Sequence, residues 1–240
     1  MLSSTPPAVV VSSTPSASSP PTYLPTGHPG ETLPLDIAWS TVRDALLRGL
    51  THALSNRVMA VTTLADLAGD ASAVATTRSV LASEAGRLDA LLRQYRLLSP
   101  APPSSAEPIN IADVIAPLVE LAGRHPDVVG TPCDVRLTAG VQPAFVDAGQ
   151  VGRIVPALVV AAMRVARRMQ PPRVQVDVRG DARWVVLGAS TGDAIGTGAL
   201  PGETDAGVTA IAITETPSGA RYEFLMPTLA AARRRDRASS

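Results

Sequence analysis

An α+β fold, in which a helical hairpin precedes an α/β sandwich, is predicted by three observations. Apolar residues recur every three or four positions through residues 36 to 98, as in amphipathic helices. A Pro- and Ser-rich segment, SPAPPSSAEP, then interrupts the pattern. Beyond it, short runs such as RVQVDV alternate as strands do, between apolar helical stretches. With only 3% aromatic residues, the apolar content is mainly Ala, Val and Leu, which favours an aliphatic, helix-rich core.

Two long helices are predicted in the first region. Residues 36 to 68 form the first, with Leu47, Leu50 and Leu54 on one stripe, and a Gly-Asp pair at 69–70 ends it. Residues 72 to 98 form the second, where apolar residues fall seven apart at Val74, Leu81, Leu88 and Tyr95. A tight turn between them predicts an antiparallel hairpin. Since a lone hairpin leaves part of its apolar stripe uncovered, we expect it to dimerise into a four-helix bundle.

The chain divides into five segments by composition. They are a disordered Pro/Ser-rich tail (1–35), the hairpin (36–98), a linker (99–108), the α/β domain (109–228) and a charged, frayed tail (229–240). The first tail is nearly uncharged and rich in Pro, Ser and Thr, so it cannot bury enough apolar surface to offset its ordering entropy.

The α/β domain is predicted from alternating helical and strand patterns. Helices are expected over 111–121 and 149–168, strands over 134–137, 144–146, 173–178 and 183–187, and a closing hairpin over 208–216 and 220–226. Residues 188 to 206, rich in Gly, Ser and Thr, are expected to form a loop.

Composition excludes several classes of function. The 21 basic and 21 acidic residues balance, which argues against nucleic acid as a partner. All basic residues are Arg, so no Lys is available for a Schiff base or a Walker phosphate-binding loop. A single cysteine and three widely spaced histidines make a metal site unexpected. We expect neither a membrane span nor a signal peptide, and hence a cytoplasmic protein.

His52 is the candidate for chemistry in the first helix. If Leu47, Leu50 and Leu54 face inward, His52 lies on the outer face, with Arg48 and Asn56 one turn to either side. An exposed imidazole is largely uncharged at neutral pH and has a free nitrogen that can attack a phosphoryl group. The alternative is a solvated histidine on a polar stripe.

The stretch LTHALSNRVMAV around this histidine resembles the H-box of bacterial two-component sensor histidine kinases. PINIADVIAPLVELA is similar to that family's entry helix after the linker, and FVDAGQVGRIVPALVVAAMRVA to its Asn-bearing nucleotide-binding helix. SGARYEFLMP is similar to its closing strand. The resemblance runs from about residue 36 to 228. It implies a dimerisation and histidine-phosphotransfer domain followed by a Bergerat-type ATP-binding domain.

Three departures from that family concern the use of ATP. The acidic residue that follows the family's histidine is replaced by Ala53. The magnesium-binding Asn of its nucleotide helix is replaced by Ala161, and the preceding Asn by Ala157. After the RWVVL strand the chain has Gly188-Ala189-Ser190-Thr191-Gly192 where the family has its adenine-reading Asp; DAIGTG at 193–198 is near the motif but out of register.

The resemblance and its departures together predict a histidine phosphotransferase. His52 would exchange phosphoryl groups with receiver aspartates of response regulators, and Asn56 would orient water for hydrolysis. Arg48, Ser55, Arg57 and Met59 are candidate contacts to the receiver. No cofactor is expected in this chain, since the receiver brings its own Mg²⁺. Two alternatives are a divergent kinase that still uses ATP and a non-enzymatic dimeric scaffold that binds response regulators.

Overall fold

The computed structural model describes residues 8–12, 33–67, 74–98, 105–194, 209–216 and 218–238. It confirms the predicted α+β class, with a helical hairpin followed by an α/β sandwich.

The hairpin consists of α1 (Leu33–Leu67) and α2 (Val74–Leu97). The inward face of α1 includes Leu46 and Leu50, which are fully buried, while Leu47 and Leu54 are half-buried. On α2, Leu91 is buried, but Tyr95 is 45% exposed although it belongs to the predicted heptad. The predicted turn at 69–70 and the side chain of Val74 lie outside what the structure describes.

The sandwich places two helices against one face of a mixed sheet. The helices are α3 (Ile111–Ala122) and α4 (Ala148–Ala166), and a short α5 (Leu229–Ala238) follows the last strand. The strands are β1 (Ala8–Ser12), β2 (Glu107–Ile109), β3 (Cys133–Leu137), β4 (Ala144–Val146), β5 (Val174–Gly180), β6 (Trp184–Thr191), β7 (Ala210–Thr216) and β8 (Gly219–Pro227). The sheet order is β1-β7-β8-β6-β5-β3; β1–β7 and β3–β5 are parallel and the other pairs antiparallel, while β2 and β4 form a separate antiparallel pair.

The core of the sandwich explains the apolar sequence of α4. Val155, Leu158 and Val159 are buried, and the helix packs against β6 and β8 on one side and α3 on another. Among the described helices, α4 alone has the length and hydropathy of a membrane span, and half of that window is buried inside the protein. Such a composition is also that of a core helix.

The hairpin packs directly on the sandwich, and the two share one hydrophobic cluster. The approach is closest at Gly49 of α1, where a Cβ atom would lie 1.9 Å from the backbone oxygen of Arg124, just after α3. Only a residue without a side chain fits such a contact. The sandwich therefore covers part of the apolar stripe that dimerisation was expected to cover, and the dimer itself stays a prediction.

The predictions for the N-terminal tail and for the Gly-rich loop are wrong in part. Ala8–Ser12 of the expected disordered tail forms an edge strand, because its Val-rich run pairs in parallel with Ala210–Thr214. The expected loop begins later than predicted, since Gly188 to Thr191 continue β6, where β5 and β8 supply hydrogen-bonding partners on both sides. Residues 33–35 of that tail belong to α1, while its residues 1–7 and 13–32 and the loop residues 195–208 lie outside the described residues.

The ends of the α/β domain also differ from expectation. Residues 107 and 108 of the linker continue into Ile109 as strand β2, because they pair with β4; residues 99–104 are outside the described residues. Residues Leu229–Ala238 of the charged C-terminal tail are helical rather than frayed. Thr228 Oγ1 accepts a hydrogen bond from the Ala231 amide at 3.2 Å, as an N-cap does, and Ala231 is buried.

Candidate functional site

His52 lies on the exposed face of α1, as predicted. Its ring nitrogen Nε2 is 3.3 Å from Asn56 Nδ2, one helical turn later. An amide nitrogen only donates, so this contact is a hydrogen bond in the tautomer that carries its ring proton on Nδ1. In that tautomer the Nε2 lone pair accepts from the Asn56 amide. Arg48, one turn before His52, is exposed and makes no hydrogen bond or ion pair with another described residue.

The histidine borders a groove of about 860 Å³ between the hairpin and the sandwich. We call this the histidine groove; its walls are α1, α2 and the turn that follows α3. Four arginines line it, one or more from each wall: Arg48, Arg57, Arg87 and Arg124. Glu120 is the acidic residue in the lining, so the groove carries a net positive charge. Anionic groups are therefore the ligands that this groove favours.

Arg57 and Arg87 are joined by the buried carboxylate of Glu84 on α2. Arg57 Nη1 lies 3.4 Å from Oε1 and 3.2 Å from Oε2 of Glu84, and Arg87 Nη1 also donates to Oε1. Burial raises the pKa of Glu84, but the hydrogen bonds and charges of the two arginines outweigh burial and bring the pKa below its ordinary value. Glu84 is therefore ionised at neutral pH.

Arg124 extends from the sandwich into the lining of the histidine groove. Its Nε donates to Gln94 Oε1 of α2 at 3.3 Å, and its Nη2 donates to Glu120 Oε1 at 3.2 Å. Gln94 is buried, so one end of this side chain is fixed against the hairpin. The wall opposite His52 thus belongs to the α/β domain.

The structure separates the predicted partner contacts into two groups. His52, Asn56, Arg48 and Arg57 line the histidine groove together. Ser55 and Met59 are exposed on α1 but do not line the groove. Met59 is 67% exposed, beside an exposed Val58, so this part of α1 offers an apolar surface.

His125 provides a contrast within the same chain. It precedes the 3₁₀ turn Pro126–Val128, where its Nδ1 accepts a hydrogen bond from the Asp127 amide, and it is only 1% exposed. Burial and the nearby charge of Arg164 lower the pKa of His125, although Asp127 acts in the opposite direction. His125 therefore has a structural role at the turn that follows α3.

The helix that resembles a nucleotide-binding element carries no magnesium ligand on its accessible face. The positions of α4 that are not buried are Ala148, Gly149, Gly152, Arg153, Ala157, Ala161, Arg164 and Val165. None of these side chains has an oxygen atom, and Mg²⁺ requires oxygen ligands. Asp193 is exposed in a 3₁₀ turn after β6, and the Gly-rich continuation at 196–198 lies outside the described residues. Within the described ranges, no group of three or more His, Cys, Asp or Glu side chains is placed to hold a metal ion.

Sequence reasoning missed Glu84, Arg87 and Arg124 as parts of the site. Glu84 and Arg87 are three residues apart on a helix, a common spacing of surface ion pairs, so the pattern did not distinguish them. A clearer signal was Gly49, since a glycine inside a helix usually marks a close approach.

The fold and the site define an α+β protein that presents the exposed histidine His52 beside an arginine-lined groove. No family model and no curated protein matches the chain. Solved structures do match. The histidine kinase AdeS of Acinetobacter baumannii has 13% identity, covers 76% of this chain and 97% of its own, and gives a TM-score of 0.38.

Two further structures match at a similar level. A histidine kinase from Burkholderia phymatum has 10% identity, with 82% of this chain and 98% of its own covered and a TM-score of 0.39. A bacterial phosphotransferase has 13% identity, with 77% and 95% covered and a TM-score of 0.40. At these TM-scores the likenesses assign neither a family nor an activity to this chain.

Proposed function

We propose that this protein is a histidine phosphotransferase of a two-component phosphorelay, in which His52 exchanges phosphoryl groups with receiver aspartates. The observation that carries the proposal is the setting of His52. It is exposed, its Nε2 accepts from Asn56, and it borders a groove lined by four arginines. A phosphoryl donor is an anion, and phosphoryl transfer depends mainly on positioning and on stabilising negative charge.

The transfer step needs only His52 and the receiver. The Asn56 amide releases Nε2, whose lone pair attacks the phosphorus of the receiver's aspartyl phosphate. A nitrogen–phosphorus bond forms, and the bond from phosphorus to the carboxylate oxygen breaks. The electron pair leaves with the aspartate carboxylate, and the Nδ1 proton can pass to water. The receiver would bring the Mg²⁺ that supports this step. Asn56, already within hydrogen-bonding distance of the ring, would orient water when the phosphoryl group is hydrolysed.

The absence of ATP chemistry is part of the proposal. The residue after His52 is Ala53, which lines the same groove and cannot act as a base. The accessible face of α4 supplies no oxygen ligand for magnesium. Contact with receivers through Ser55 and Met59, a homodimer and a cytoplasmic location belong to the same proposal.

A labelling experiment tests the function. The purified protein is incubated with a receiver carrying a radiolabelled phosphoryl group, and separately with labelled ATP and magnesium. We expect label on the wild type from the receiver and none from ATP. The variant His52→Gln should accept no label, whereas His125→Gln, which changes the buried histidine, should accept it. Equal labelling of His52→Gln would refute the role of His52.

The kinase alternative has its own readout. A protein that binds ATP is stabilised by it, by about 2.7 kcal/mol at a ligand concentration a hundredfold above Kd. We expect no change in melting temperature with millimolar ATP and magnesium. Label from ATP on His52, or a clear thermal shift, would favour the divergent kinase instead.

A further inference from the structure

The buried Glu84 is a charged residue that the proposed transfer step does not use. Its side chain is 7% exposed, and it lies on α2 facing α1. A carboxylate is rarely buried unless it is paired, so its partners define its role. They are Arg57 from α1 and Arg87 from α2, both of which line the histidine groove.

The two arginines are held at their inner side and open at their outer side. Their side chains are 41% and 57% exposed, against 7% for Glu84. Each guanidinium has five N–H donors, and both use Nη1 for Glu84, so other donors are left to face the groove. Because two cations share one anion, the cluster keeps a net positive charge beside His52.

We propose that Glu84 is a positioning residue that fixes Arg57 and Arg87 as an anion subsite of the histidine groove. The subsite takes the phosphoryl-bearing, acidic part of the receiver, a group with several negatively charged oxygens that guanidinium donors bind well. This inference rests on the proposed function, because it concerns the same donor. It adds a residue, Glu84, that does not itself line the groove but pairs with two arginines that do.

Positioning and simple charge balance predict opposite effects of one substitution. Glu84→Gln removes a negative charge near the groove. If only net charge mattered, a more positive groove would attract an acidic receiver faster. If Glu84 positions the arginines, the neutral amide loses the paired, charge-assisted hydrogen bonds, and the guanidinium groups lose their fixed place.

The test compares Glu84→Gln with the matched control Glu120→Gln. Both remove one negative charge from the groove region, but Glu120 is exposed and pairs with Arg124 on the opposite wall. Transfer from a phosphorylated receiver is followed at several receiver concentrations and two salt concentrations. We expect Glu84→Gln to slow transfer roughly tenfold to a hundredfold, as misplacement of positioning groups does. Glu120→Gln, which makes the groove lining more positive without affecting the partner of Arg57 and Arg87, should transfer faster than wild type.

The outcomes separate this inference from the proposed function. A wild-type rate for Glu84→Gln, or an acceleration equal to that of Glu120→Gln, would overturn the positioning role while the function stands. Failure of the wild type itself to accept label would overturn the function. Partial recovery of the rate in Glu84→Asp, relative to Glu84→Gln, would support positioning by a carboxylate. If Glu84→Gln does not fold, Glu84→Asp replaces it, because it keeps the charge but shortens the side chain by one methylene. Positioning then predicts slower transfer than wild type, and a wild-type rate would overturn the inference.

Discussion

Two clusters of arginine and carboxylate side chains differ in composition and in what surrounds them. The groove cluster is Glu84 with Arg57 and Arg87. The sheet cluster is a closed ring on β5 and β8. In that ring Asp177 and Glu223 each pair with both Arg179 and Arg221, with Arg179 Nη1 2.6 Å from Asp177 and Arg221 Nε 2.8 Å from Glu223.

The two clusters also differ in charge and exposure. The sheet arginines are only 16% and 7% exposed, and two cations balance two anions. Gly188 of β6 lies between them, where a Cβ atom would be 2.7 Å from Arg221 Nη2. The groove arginines are far more exposed and outnumber their acid. The balanced, buried cluster has no net charge to offer a ligand, whereas the unbalanced cluster at the groove has positive charge left for one.

The same contrast appears in the pKa values of two glutamates. Burial raises the pKa of Glu223 above its ordinary 4.5, although Arg179 opposes the effect. The pKa of Glu84 falls below the same ordinary value, because its two arginines outweigh its desolvation. We therefore expect substitutions in the two clusters to change the stability of the protein in different ways.

Breaking the sheet cluster should have the largest effect on stability. Arg221→Met leaves Asp177 and Glu223 buried with one cation fewer, so we expect a loss of about 3–5 kcal/mol in the free energy of unfolding, measured in urea. Arg173→Met, which removes an exposed pair with Asp134, is the matched control. The distinction between the clusters fails if Arg221→Met costs no more than an exposed pair, about 1 kcal/mol or less.

The second-largest loss of stability is expected from a substitution in the wall of the histidine groove. Gly49→Ala places a methyl group against the Arg124 carbonyl, so we expect a loss of about 1–3 kcal/mol from overpacking, together with slower transfer at His52. Gly86→Ala is the control, because nothing lies within 4 Å of its Cβ position on α2. That change should instead stabilise the protein by about 1 kcal/mol through helix propensity. Equal stabilisation by both changes would show that the sandwich does not pack against Gly49.

The pH dependence of stability gives the smallest but sharpest contrast. Glu84 has a lowered pKa, so its contribution is complete above pH 4.5 and is lost as the pH falls through the lower folded value. Glu223 has a raised pKa, so the folded state takes up its proton first and gains stability as the pH falls toward 4.5. The loss of stability that Glu84→Gln causes, relative to wild type, should therefore shrink at low pH. The loss that Glu223→Gln causes should instead grow as the pH decreases toward 4.5. Denaturation in urea across this pH range measures both losses of stability. If the two losses changed with pH in the same direction, the contrast between Glu84 and Glu223 would be contradicted.

Local patterns predicted the elements better than the contacts between them. The spacing of Leu47, Leu50 and Leu54 placed His52 on the outer face of α1, and the structure has it there. Strand β1 was missed because AVVVS in a Pro/Ser-rich region gives no sign of a partner two hundred residues away. Gly188 to Thr191 were mistaken for loop because small residues favour turns locally, while pairing on both sides decided the outcome.

The candidate site shows the same limit. His52, Asn56 and Arg48 share one stripe of one helix, so periodicity alone could bring them together. Arg87 and Arg124 reach the groove from α2 and from the turn after α3, through packing that no short stretch encodes. The charge relation between Arg57 and Glu84, 27 residues apart, depends on the register of the hairpin.

The central claim, that His52 is the phosphoryl acceptor, is tested most directly by locating the modification. The wild-type protein is exposed to a phosphorylated receiver, digested at neutral pH, where phosphohistidine survives, and sequenced by tandem mass spectrometry. The account predicts a phosphoryl group on His52 and an unmodified His125. A phosphoryl group on another residue, or none on the peptide that contains His52, would contradict it.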